Sequence, residues 1–134
     1  MGAIFNDELK RLRGHFMEMG IDASEQIYQA TKAFTENDPV LANQVLTADN
    51  KINDEEVSLE KEALKLMALQ QPVASDFRKI ISILKASSDV ERLGDYATHI
   101  ARAAINLSDR EHNEQIEGQI EKMMMIVREM LEKV

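Results

Sequence analysis

The sequence predicts an all-α fold: an antiparallel up-down-up three-helix bundle, with a fourth helix that begins a second repeat. Three observations predict it. Only two prolines and five glycines interrupt the 134 residues, whereas a sheet would need more turn residues and more β-branched runs. Apolar residues recur at alternating three- and four-residue spacing over long stretches, which is the seam of a bundle helix. The prolines fall between those stretches, so the connections are short and successive helices run antiparallel.

The first helix is expected over 4–36, on the seam Phe5, Leu9, Leu12, Phe16, Met19, Ala23, Ile27, Ala30 and Phe34. It stops at Asn37-Asp38-Pro39, where Asp38 is an N-cap and Pro39 takes the first helical position, at which its missing N–H costs nothing. The second helix follows over 39–70. Gln70-Gln71-Pro72 closes it, because a residue before proline is pushed out of the α region. The third helix is expected over 73–107. A polar break at Ser108-Asp109-Arg110 leads to a fourth segment over 114–134. There Met123, Val127, Met130, Leu131 and Val134 repeat the order and spacing of Met19, Ala23, Gln26, Ile27 and Ala30. Shared helical period accounts for such a match by itself; the alternative is a second repeat that has just begun, dividing the chain into a bundle over 1–110 and a fourth helix over 111–134. A helix of that kind without its own partners leaves Met124, Val127, Met130 and Leu131 uncovered. The expectation is a homodimer or higher oligomer using them as the contact.

Charge narrows the function. The formal net charge is −8, which argues against a nucleic-acid binder, whose affinity needs a basic face. No cysteine is present, so disulfides, thiolate nucleophiles and cysteine zinc sites are excluded, and a reducing cytoplasm fits. The longest apolar run, Met123 to Val127, is far below the roughly 20 residues of a spanning helix, so no direct membrane insertion is expected. The amino-terminal residues carry neither a basic signal-peptide region nor a myristoylation pattern.

The chemistry lies in misplaced carboxylates. On a wheel of about 100° per residue, Leu41, Val45, Ala48, Leu59, Ala63 and Leu66 of the second helix fall near Ile52. A second apolar line holds Leu46, Val57 and Leu64. Between the two lines sit Asp49, Asn53, Glu56 and Glu60, while Gln44, Lys51, Asp54, Ser58, Lys61 and Lys65 face solvent. In the third helix a seam runs from Ile83 through Val90, Leu93 and Ala97 to Ala104 and Leu107. Phe77, Ile80 and Leu84 mark the opposite side as buried too, and that side continues into Ser88, Glu91, Asp95 and Thr98. Gly94 lets something approach the backbone closely.

A hairpin turning near residue 72 sets Asn53 level with Glu91, and Asp49 level with Asp95. The first helix brings Asp22, Glu25 and Gln26 to the neighbourhood. Such a cluster is neutralised by protonation, by water or by cations; hard cations are the natural solution for converging oxygens with no thiol. The plain alternative is a solvated face balanced by Arg92 or Arg102. Other chemistries lack their residues: there is no Glu-x-x-His pair for a di-iron oxidase, no phosphate-binding glycine loop and no nucleophile elbow. His15, His99 and His112 are scattered.

At these residues the chain resembles the PhoU family, the accessory proteins of the phosphate-specific transport system. Leu69-Gln70-Gln71-Pro72-Val73-Ala74-Ser75-Asp76-Phe77-Arg78 carries the resemblance most strongly. Asp89-Val90-Glu91-Arg92-Leu93-Gly94-Asp95-Tyr96-Ala97, Ile100-Ala101, Asp49-Asn50-Lys51-Ile52-Asn53 and Glu56 complete it. The resemblance implies tandem three-helix bundles with acidic E/D-x-x-x-D/N motifs that hold divalent or ferric ions. Iron is the first expectation, with manganese, magnesium, zinc or calcium as alternatives. The motif falls on Glu91 with Asp95 and on Asp49 with Asn53, and Glu56, Glu60 and Asp89 extend the set. The resemblance further implies cytoplasmic negative regulation of phosphate uptake and phosphate-starvation signalling, through contact with the transporter's ATPase subunit and a sensor kinase, without catalysis. A family member of the usual kind has a second full bundle, where this sequence has only that repeat's first helix. The competing readings are a metal-free helical adaptor or oligomerisation module, and a carboxylate-metal oxidase or hydrolase.

Overall fold

The computed structural model describes residues 2–106 and 110–133, with side chains over 4–106 and 118–130. Four helices follow one another: α1 (Gly2–Thr35), α2 (Pro39–Gln70), α3 (Ala74–Asn106) and α4 (Arg110–Lys133). The first three pack mutually, α1 on α2, α2 on α3 and α1 on α3, and α4 lies along α3.

The α1–α2 connection is short because each residue in it serves a helix end. Asn37 takes the left-handed conformation with φ 53°, which asparagine tolerates at the position after a helix. Asp38 N–H then reaches back to the Ala33 carbonyl at 2.8 Å, satisfying a terminal α1 acceptor. The Asp38 carboxylate caps α2 by accepting from Leu41 N–H at 3.1 Å, with Pro39 following it. Asp38→Ala removes this acceptor and is expected to cost about 1 kcal/mol of stability, measurable by urea denaturation beside Asp54→Ala on the solvent face. At the other end Gln71 is left-handed with φ 43° and ends α2 before Pro72.

The α1 seam is the core as expected. Phe5, Leu9, Leu12, Phe16, Met19, Ala23 and Ala30 are buried, while Ile27 and Phe34 pack partly buried against the same interior. On α2, Val45, Ile52, Leu59, Ala63 and Leu66 are buried. The wheel misjudged the remainder of this helix. Ala48 is exposed, and the second apolar line is not covered: Leu46 is half-buried, but Val57 is 50% and Leu64 59% exposed. Phe77 on α3, expected in the interior, is 44% exposed. These residues stand outside the angle that two neighbours can cover, because a three-helix bundle buries one sector of each rod.

Among the described residues α3 packs along each of the other three helices. Small residues permit it: Ser87, Gly94, Ala97, Thr98 and Ala101 are buried among larger side chains. The Ser87 and Thr98 hydroxyls donate to the carbonyls of Leu84 and Asp95, each at 2.7 Å, so their burial leaves no donor unpaired. Met123 and Ile126 of α4 join the interior near Leu93 and Ala97, with Ile120, Val127 and Met130 partly covered. Met124 remains 65% exposed. Leu107 and Val134, expected on apolar seams, lie outside the described residues, and so do the side chains of His112 and Leu131.

Candidate metal centre

The acidic stripe of α2 does face its counterpart on α3. Asp49, Asn53 and Glu56 are half-buried, as is Glu91, while Glu60 and Asp95 are exposed at the edges. The hairpin register holds: a side chain grown from Gly94 would meet Asp49 Oδ1 at 3.4 Å and Ile52 Cγ2 at 3.7 Å. Asn53 Nδ2 donates to Asp49 Oδ2 at 3.4 Å. From α1 comes Gln26, only 3% exposed, whose Nε2 donates to Asp49 Oδ1 at 3.3 Å.

Electrostatics register this crowding. Burial first, then the charge of Asp95 and that of Glu56, push Glu91 up to about 7, with an Asp95 hydrogen bond and the Asp49 charge adding to it. Glu56 is raised by burial and then by Glu60. Thus carboxylates facing one another across one groove raise the proton affinity of Glu56 on α2 and Glu91 on α3. Two further features belong to the place. Gln26 Oε1 is buried without a hydrogen-bond partner, and it lies at the missing Cβ of Gly94, 3.3 Å from where that atom would be. Among the described residues no three His, Asp or Glu side chains stand close enough to close around one ion.

Asp89 is placed elsewhere. Two residues along a helix turn a side chain by about 200°, and Asp89 lines a groove between α1 and α3 instead of the one holding Glu91. The α1 acids separate as well. Glu25 is exposed and accepts from Gln29, and Asp22 lies 3.2 Å from Lys51 Nζ on the opposite side of α2.

That opposite side holds the group sequence reasoning missed. Glu55 is half-buried, with Oε1 lacking a partner, and is pushed up to about 7 by burial, then by its hydrogen bond to Asp22 and the Asp22 charge. The signal was available. Glu55 lies about 60° from Ile52 on the side away from Asn53, and the first hairpin sets Asp22 beside it just as the second sets Asp49 beside Gly94. His15 Nδ1, at 2.6 Å from Glu62 Oε2, lies further along this α1–α2 edge.

A pH dependence follows from Glu55 and Glu91. Both have native pKa values near 7, against 4.5 for an ordinary glutamate. Between those values the native state binds more protons than the unfolded chain, so stability falls as pH rises through the window. Both side chains retain solvent contact, which reduces each contribution to about 1 kcal/mol. In chelator, melting temperature should drop between pH 5 and 8, and Glu91→Gln should raise it by about 3 °C at pH 8 with little effect at pH 5.

Comparison with known proteins bears on the same residues. The PhoU domain matches residues 16–104, an interval containing Gln26, Asp49, Asn53, Glu91 and Asp95. A phosphate-specific transport system accessory protein PhoU homolog of Pseudomonas putida is 45% identical over 105 residues, covering 78% of this chain and 41% of its own length. The Escherichia coli K12 accessory protein is 34% identical over 108 residues, covering 81% and 45%. The crystal structure of PhoU from Pseudomonas aeruginosa superposes with TM-score 0.79 at 37% identity, covering 91% of this chain and 61% of that one. The phosphate transport system regulatory protein PhoU from Streptococcus pneumoniae gives 0.75 at 30%, covering 92% and 59%. The chain spans about two fifths to half the length of the curated relatives it matches. Among the described residues no helix is long and apolar enough to cross a membrane.

Proposed function

Because the chain belongs to the PhoU domain family, we propose that it is a metal-binding regulator of phosphate uptake and phosphate-starvation signalling that acts by protein contact and not by catalysis. Its expected partners are a phosphate transporter's ATPase subunit and a sensor kinase, and its expected place is the cytoplasm. The named roles of its relatives in phosphate transport support the regulatory half.

One observation carries the metal half: Glu91 is driven to bind a proton near pH 7 largely by burial and by carboxylates of its own and the facing helix, so a cation has the same repulsion to relieve. The donors fit a hard ion, being carboxylate and amide oxygens throughout. The orphaned Gln26 Oε1 and the space at Gly94 fit it as well. Asp49, Asn53, Glu91 and Asp95 would hold the ion, with Glu56 and Glu60 at the rim. Bound there, it would tie α2 to α3 by neutralising their facing charges. In the producing organism, Glu91→Ala with Asp95→Ala should switch on a phosphate-starvation reporter in phosphate-rich medium. An unchanged reporter would overturn the proposal.

A second reading rests on the hydrogen bonds. Gln26 and Asn53 already donate to Asp49, and a protonated Glu91 leaves the cluster less charged, so a metal-free adaptor satisfies the same geometry. It predicts that chelation leaves melting unchanged. Of the residues expected to be uncovered, Val127 and Met130 are partly taken up by packing along α3. On either reading the exposed Met124 would serve self-association with what they leave open and with Leu131, and light scattering that finds only monomer would exclude it.

A further inference from the structure

Among the described residues three polar side chains are buried: Gln26, Ser87 and Thr98. Two of them are satisfied within their own helix, since the Ser87 and Thr98 hydroxyls each donate to a carbonyl one turn back. Gln26 is not. It stands in the interior stripe of α1 between Ala23 and Ala30, 3% exposed, and its Oε1 has no partner. The sense of the amide is fixed by its other end. Nε2 donates to Asp49 Oδ1 at 3.3 Å and, more weakly, to the Val45 carbonyl at 3.5 Å. Turning the amide over would set Oε1 against those two acceptors and leave Nε2 without one beside Gly94. A buried acceptor left in this way disfavours the fold until an occupant relieves it.

The orphan is aimed at the acidic groove. Gly94 lies inside α3, where its N–H is engaged in the helix. Its absent side chain leaves a point 3.3 Å from Gln26 Oε1 and 3.4 Å from Asp49 Oδ1. Oxygens of α1 and α2 thus converge on the surface of α3. Among the described residues the acidic side chains alone do not close around one ion, whereas a hard cation takes about six oxygens, amide carbonyls included. We propose that Gln26 Oε1 is a ligand of the ion, the neutral oxygen that α1 contributes at the inner end of the groove between Asp49 and Gly94. The inference rests on the metal-binding reading above and deepens it, because an ion held in this way ties α1 as well as α2 and α3. A buried water donating to the same two oxygens is the alternative occupant, and it leaves ion affinity indifferent to residue 26.

The test is calorimetric titration of the chain with manganese(II) alone, a hard ion suited to carboxylate and carbonyl oxygens, beside amide hydrogen exchange. Gln26→Met, close in volume and without an oxygen, should bind at least tenfold more weakly. Gln26→Glu keeps an oxygen in place of Oε1 but, when charged, cannot donate to Asp49; it should bind at least as tightly as the unaltered chain. In the unaltered chain, saturating manganese should slow exchange over residues 22–30 at least tenfold, a result that needs no variant to fold. Equal affinity in Gln26→Met would overturn the inference. So would a Gln26→Glu chain as weak as Gln26→Met, which would mean that the amide serves Asp49 through its N–H alone. Exchange slowed in α2 and α3 but not in α1 would do the same. The outcomes separate from those of the metal reading itself. That reading falls, and this inference with it, if the unaltered chain takes up no manganese or if Glu91→Ala with Asp95→Ala takes up as much. A site lost in that double variant and intact in Gln26→Met removes the inference alone.

Discussion

Purified without chelator, the chain carrying Glu91→Ala with Asp95→Ala is expected to retain at least tenfold less iron or manganese than the unaltered protein. Losing even an outer partner of a metal ligand costs tenfold or more in affinity, and this pair removes two oxygen donors outright. The two side chains are one turn apart on α3, and they face Asp49 and Glu56 on α2. Their removal has opposite consequences with and without metal. In chelator the variant loses the repulsion that raises the Glu91 pKa, so it should melt at or above the unaltered chain near pH 8. With metal in hundredfold excess over the dissociation constant, the unaltered chain gains about 2.7 kcal/mol from binding, which the variant cannot gain. Metal analysis and paired melts read both effects. Equal metal content in the two proteins would remove α3 from the site.

Enlarging residue 94 should give the largest effect on stability. Gly94→Leu is expected to lower it by about 3 kcal/mol, whereas Gly94→Ala should change it by no more than about 1. A Cβ there would stand 3.3 Å from Gln26 Oε1 and 3.4 Å from Asp49 Oδ1. Both atoms are the ends of flexible side chains and can yield a few tenths of an ångström. The alanine also improves helix propensity by up to about 1 kcal/mol, which offsets that shift. A leucine places three more carbons where α1, α2 and α3 meet. It would displace the Gln26 amide from Asp49 and press on Ile52, which is itself 2% exposed. Urea denaturation of the three proteins separates the cases. A leucine variant as stable as the glycine would mean that the Gln26–Asp49 contact is not held by packing.

The two hairpins show how far residue patterns reach. Proline positions and the capping aspartate locate both connections, and spacing locates the α1 seam from Phe5 to Phe34. From those alone the facing of Asp49 toward the Gly94–Asp95 level follows, since a short turn between rods of equal rise leaves one register. The same arithmetic applied to the first hairpin would have brought out Glu55 against Asp22.

Periodicity measures angles about a helix's own axis, and it is silent on where the neighbouring axes lie. Composition and spacing therefore establish, unaided, that this chain forms long helices, where the first three end, and which stripe of α1 turns inward; α4 begins at Arg110, four residues before the expected 114. The directions of the neighbours had to come from packing. They leave Val57 and Leu64 in water, turn Asp89 toward α1 instead of α2, carry Gln26 into the acidic groove and lay α4 along α3. Each outcome depends on which sector of a rod its two or three neighbours cover, and that is settled by side chains distant in sequence filling a common space.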